Sequence, residues 1–136
     1  MNEMGKICGD LGLPVGDNFT QDWFYELSEN YRTKEWLDKY IIAYANNDYS
    51  LSEKNDLMTL SLDVCNDLLS SGLSATDEVI INVLNILSVN YQAHMELINY
   101  WSLENEPLDD CFSLTSEMRK LKNRLNWKIK SLGLNI

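Results

Sequence analysis

The sequence predicts an all-α domain of about five helices with an irregular N-terminal segment, spanning residues 1–136 as one unit, on three observations. Apolar residues recur at spacings of three and four over most of the chain after Thr20. No Asn-Gly or Asp-Gly dipeptide of a tight β-hairpin occurs anywhere. Glycine and proline crowd the first 16 residues and return only at Gly72, Pro107 and Gly133.

Each element has its own signals. Gly5, Gly9, Gly12, Pro14 and Gly16 predict an irregular start, with at most a short extended piece around Lys6-Ile7-Cys8. Thr20 is placed to cap a short helix through Tyr31 that carries Trp23, Phe24 and Leu27. Thr33 is placed to cap a second, through about Asn46, with Trp36, Leu37, Tyr40, Ile41 and Tyr44 at helical spacing. Ser50-Leu51-Ser52-Glu53 is a capping-box pattern and Gly72 a left-handed stop, predicting a helix over about 51–71. Thr76, followed by Asp77 and Glu78, predicts a fourth helix to about Trp101, apolar enough to be the central one. Pro107 closes the linker. Leu114, Met118, Leu121, Leu125, Ile129 and Leu132 predict a last helix ended by Gly133.

Charge divides this chain unequally. Residues 1–116 hold 20 Asp and Glu against 5 Lys and Arg, a formal −15, while residues 117–136 hold one acid and six bases, a formal +5. So acidic a body repels nucleic acid and anionic membrane and steers cationic partners inward, although net charge also serves solubility alone. A length of 136 residues is enough for one core without a metal or disulfide scaffold. Cys8, Cys65 and Cys111 form no C-x-x-C and read as packing thiols. Neither a signal-peptide pattern nor an 18-residue apolar run is present, so a cytoplasmic protein is expected.

Material for catalysis is sparse. The single histidine, His94, falls among Ile80, Val83, Leu87, Tyr91, Ile98 and Trp101 on a helical wheel, where a hydrogen-bonded core role is expected. There is no nucleophile elbow, zinc-helix motif, phosphate loop or dinucleotide fingerprint, and Asp109-Asp110 lacks the alternating ligands of a calcium loop. The expectation is a binding protein with no metal and no cofactor.

Two stripes offer binding surfaces. On the third helix Asp56, Asp63 and Asp67 fall within about 40° of one another, with Glu53 flanking them, a ridge suited to a basic surface and equally readable as a solvated face. Leu60 interrupts it. On the expected fourth helix Asn82, Asn85, Gln92 and Glu96 share an amide-rich side, either a recognition strip or the wet side of a buried helix. Tyr25 and Tyr49 are candidate anchors. The bases of the last helix, Arg119 to Lys130, are expected to dock against acidic neighbours rather than bind RNA.

The run Gln21-Asp22-Trp23, then Arg32 and Tyr40, the helix Glu53 to Leu69, His94, and Tyr100-Trp101-Ser102 together resemble the small helical immunity proteins of bacterial polymorphic-toxin systems, contact-dependent inhibition included. The likeness covers roughly residues 20–102. It implies a cytoplasmic antidote that binds the C-terminal domain of one toxin, often a basic nuclease, and blocks its active site or access to it. An adaptor or regulator that binds another host protein is the alternative.

Overall fold

The computed structural model of the chain describes residues 4–13, 27–46 and 48–131. Among them are six α-helices, three single 3-10 turns and no strand, in keeping with the all-α expectation: α1 (Met4–Leu11), α2 (Lys34–Tyr44), α3 (Leu51–Ser70), α4 (Glu78–Val89), α5 (Met95–Ser102) and α6 (Thr115–Ser131). All six contribute to one cluster of buried residues.

The N-terminal segment departs from expectation. Residues 4–11 are helical despite Gly5 and Gly9, each of which costs about 1 kcal/mol relative to alanine. Packing supplies the difference: Ile7 and Cys8 are fully buried, and α1 lies against α3. Gly12, at φ +73°, then turns the chain so that the Leu13 amide donates to the Cys8 carbonyl at 2.9 Å. The Thr20 start of the next expected helix, with Trp23 and Phe24, lies outside the described residues. From Leu27 onward that stretch is a bend and a 3-10 turn, Glu29–Tyr31, with no α-helix.

Helices α2 and α3 form as their caps predict. The Thr33 hydroxyl accepts from the Trp36 amide. Ser50 and Glu53 complete both bonds of the capping box, at 3.1 and 2.9 Å. Gly72, at φ +106°, closes α3, where Gly72 and Leu73 amides return to the Leu69 and Leu68 carbonyls. The central helix is α3, not α4. Seven of its residues between Leu57 and Cys65 are buried hydrophobics or hydroxyls and an eighth is Asp63, because α1, α2 and α4 surround it.

The expected long fourth helix is broken. Asp77 rather than Thr76 caps α4, accepting from the Val79 amide. At Asn90 (φ −105°, ψ 26°) the chain leaves the helix, and the Asn90 amide side chain donates to the Ile86 carbonyl at 2.8 Å. A 3-10 turn, Tyr91–Ala93, leads into α5. The break lets His94 enter the core: Tyr44 lies 2.6 Å from Nε2 and the Asn55 Oδ1 lies 3.0 Å from Nδ1. Since Oδ1 can only accept, Nδ1 carries the proton and Nε2 accepts from Tyr44. His94 thus ties α2, α3 and the start of α5 together as a core histidine, and burial lowers its pKa.

Leu114, just before α6, and Met118, Leu121 and Leu125 within it are buried. Asn66 of α3 receives the Leu114 amide at 3.0 Å, fixing where α6 starts. Arg119 reaches back to the end of α5, where Leu103 is left-handed (φ 41°), and donates to the Ser102, Leu103 and Glu106 carbonyls. A guanidinium on the final carbonyls of a helix meets the negative end of its dipole. Lys122 pairs with Glu104 at 3.2 Å, so two of the expected basic flank residues face inward. No described helix is long and apolar enough to cross a membrane.

Candidate functional site

The expected acidic ridge on α3 is largely spent inside the molecule. Glu53 is committed to its cap and only half-exposed, as is Asp56. Asp63 is 9% exposed and sits 2.8 Å from Arg32, whose same nitrogen reaches Asp67 at 2.7 Å. The Arg32 side chain is itself 8% exposed, and its Nε donates to the Leu27 carbonyl. Burial is the largest influence on the Asp63 carboxyl and, with the charge of neighbouring Asp67, raises its pKa against the hydrogen bond and charge of Arg32, which lower it. Leu60, on the same side, is fully buried. The helical wheel groups these acids correctly; what it omits is that the bend before α2 brings an arginine onto them. Asp67, half-exposed, is the member of the ridge most open to solvent.

The amide strip is divided by the break at Asn90. Asn82 and Asn85 stand on α4, Gln92 lies in the 3-10 turn beside the Tyr91 hydroxyl, and exposed Glu96 belongs to α5. They are not one helical face, because the wheel loses its phase where the helix ends. Tyr49 is buried, its hydroxyl donating to Asp10 at 2.6 Å, and is no surface anchor. Tyr25 lies outside the described residues.

A different acidic surface emerges where α2 and α4 begin side by side. Lys34 bridges to Asp77 at 2.9 Å, and around that bridge Glu35, Asp38, Glu78, Val79 and Asn82 line a notch of about 380 Å³. Four carboxylates thus surround one amine. The Asp77 carboxyl is held below its usual range by the Lys34 hydrogen bond first and the Val79 amide second, and Lys34 is correspondingly raised. Glu35, Asp38 and Glu78 remain exposed. Lys34 meets Asp77 where the two helices begin, and toward the C-terminal ends of the same helices Ile42 (66%) and Val89 (81%) are exposed. Both helices thus carry exposed acids in their first turns and an exposed apolar residue toward their ends. Only Asn82 of the expected site residues lines the notch. In the sequence, Asp77 and Glu78 read as acids at the start of a helix; their convergence with Glu35 and Asp38 depends on α2 and α4 being neighbours.

No group of three or more His, Cys, Asp or Glu placed to hold a metal ion occurs among the described residues. Comparison with protein-family models, with curated proteins and with solved structures finds no match to the chain.

Proposed function

We propose that this protein acts by stoichiometric binding to a basic partner protein, as an immunity protein acts on the C-terminal domain of its cognate toxin, with the α2–α4 face as the contact surface. The observation that carries the reading is the notch, with exposed Glu35, Asp38 and Glu78 around it, on two helices that also expose Ile42 and Val89. Such a surface combines long-range attraction for a cationic protein with apolar area to bury on contact. The formal −15 of residues 1–116 extends the attraction over the body. A nuclease toxin fits as partner because a surface built to hold phosphate must be basic, and carboxylates can occupy it.

The test takes the C-terminal domain encoded by a neighbouring toxin gene and measures its association with this chain at several salt concentrations. A one-to-one complex is expected, with an association rate that falls as the screening length shortens from about 10 Å at 0.1 M salt to about 3 Å at 1 M. Glu35→Gln, Asp38→Asn and Glu78→Gln together should slow association at low salt and leave the melting temperature nearly unchanged. No binding to that domain, with binding instead to a host protein, assigns the chain to the adaptor class. Unchanged association in the triple variant removes the α2–α4 face from the interface.

A further inference from the structure

We infer that the outer face of α5 and the loop that follows it form a docking platform for an arginine-bearing segment of a basic protein partner. Tyr100 and Phe112 stack with ring centroids 6.0 Å apart and planes inclined by 28°. Trp101 braces both from beneath, edge-on at 5.3 Å to Tyr100 and 4.9 Å to Phe112, and is itself buried. Yet Tyr100 is 51% exposed, Phe112 40%, and Leu108, in the 3-10 turn four residues before Phe112, 55%. Large side chains supported so firmly and left in water are candidates for anchoring a partner.

Charge selects the occupant. Glu96 stands one helical turn before Tyr100, and Glu106 and Asp109 follow in the loop, all three exposed. Two bases of α6 that reach this loop are engaged within the molecule, Arg119 on backbone carbonyls and Lys122 on Glu104. A guanidinium lies flat on an aromatic face, which carries negative quadrupole potential, while its edge donates to a carboxylate, so one arginine satisfies platform and rim together. A second copy of this chain is the poorer occupant, since a two-fold contact would bring one acidic patch against another. Because Arg119 holds the loop to α5, little ordering cost accompanies docking. The platform uses none of the residues of the α2–α4 notch, so this inference and the proposed function fail separately.

The test titrates the intact protein with two 12-residue peptides of equal charge, one alternating arginine with glycine and the other lysine with glycine, and follows the aromatic resonances of Tyr100 and Phe112. Those resonances should shift, and the arginine peptide should bind roughly two- to five-fold more tightly than the lysine peptide. Tyr100→Ala should abolish the preference and Tyr100→Phe should keep it, both variants melting near the wild type. Equal binding of the two peptides, a preference that survives Tyr100→Ala, or shifts confined to the α2–α4 notch would overturn the inference. So would sedimentation showing a dimer that Tyr100→Ala dissolves, which assigns the platform to a second copy.

Discussion

Replacing Arg32 with methionine tests the most consequential contact in the molecule. The guanidinium is nearly buried and holds Asp63 at 2.8 Å, Asp67 at 2.7 Å and the Leu27 carbonyl at 3.1 Å. Methionine keeps much of the stem volume but leaves Asp63 buried without its counter-charge. Removing one partner of such a pair costs about 3–5 kcal/mol, even where replacing both partners is nearly neutral. With an unfolding entropy of about 2.1 cal/mol/K per residue, a chain of this length loses roughly 3.5 °C of melting temperature per kcal/mol, so a drop of roughly 10–18 °C is expected. The pH dependence has a definite sign. Burial already raises the Asp63 pKa in the folded state, and losing Arg32 raises it further. Between the unfolded value of about 3.9 and the raised folded value, the folded state binds more protons, so the variant's deficit should narrow as pH falls from 7 toward 4.5. The double variant Arg32→Met/Asp63→Asn removes the buried charge altogether and should recover part of the loss at pH 7. Thermal melts by circular dichroism at pH 7 and 4.5 read all three quantities. A single variant that melts within about 3 °C of the wild type, or a deficit that is the same at both pH values, would refute the account of Arg32 as the counter-charge of a buried carboxylate.

His94 should make stability fall under mild acid: its folded pKa is lowered, so its contribution is complete above the unfolded value of about 6.5 and is lost as pH drops toward the folded value. Urea unfolding at pH 7 and 5 should show a larger loss for the wild type than for His94→Gln, and equal losses would exclude the Tyr44–His94–Asn55 link as the source. Gly72→Ala should cost about 1–2 kcal/mol purely through its backbone, since φ is +106° and an added Cβ meets nothing within 4 Å. Gly9→Ala, inside α1 and equally open, should instead stabilise by up to about 1 kcal/mol; the same sign for both glycines in thermal melts would contradict the backbone explanation. Deleting residues 114–136 removes Leu114, Met118, Leu121 and Leu125 from the core, each worth about 1.5–3 kcal/mol before entropy, and should yield an unfolded or aggregated chain by circular dichroism and size exclusion; a cooperative, monomeric melt would make α6 a detachable arm.

What the sequence discloses here is whatever a residue decides within its own turn of chain. The Ser50–Glu53 box, the Thr33 cap, the Gly72 stop and the apolar stripe of the last helix as far as Leu125 are local, and each appears in the structure where it is expected, while the Ile129 side chain, Leu132 and the Gly133 stop lie outside what is described. The misreadings have one cause. Gly5 and Gly9 argue against a helix only until Ile7 and Cys8 find α3, and an unbroken apolar pattern from Val79 to Trp101 does not reveal that Asn90 turns its side chain back on Ile86. The site expectations suffered most because a charge belongs to a surface only if nothing distant reaches it. Arg32 lies 31 residues before Asp63, and the intervening chain brings it onto two of the four carboxylates of the ridge. The same topology that takes those acids away sets the first turns of α2 and α4 together and leaves Glu35, Asp38 and Glu78 facing solvent. For an acidic protein, a count of carboxylates gives the sign of its field, but which of them face solvent is decided by the contacts that its few cations make. Of the five bases among the first 116 residues, two are already assigned to Asp63, Asp67 and Asp77, and among the described residues that line the notch four carboxylates stand against one lysine.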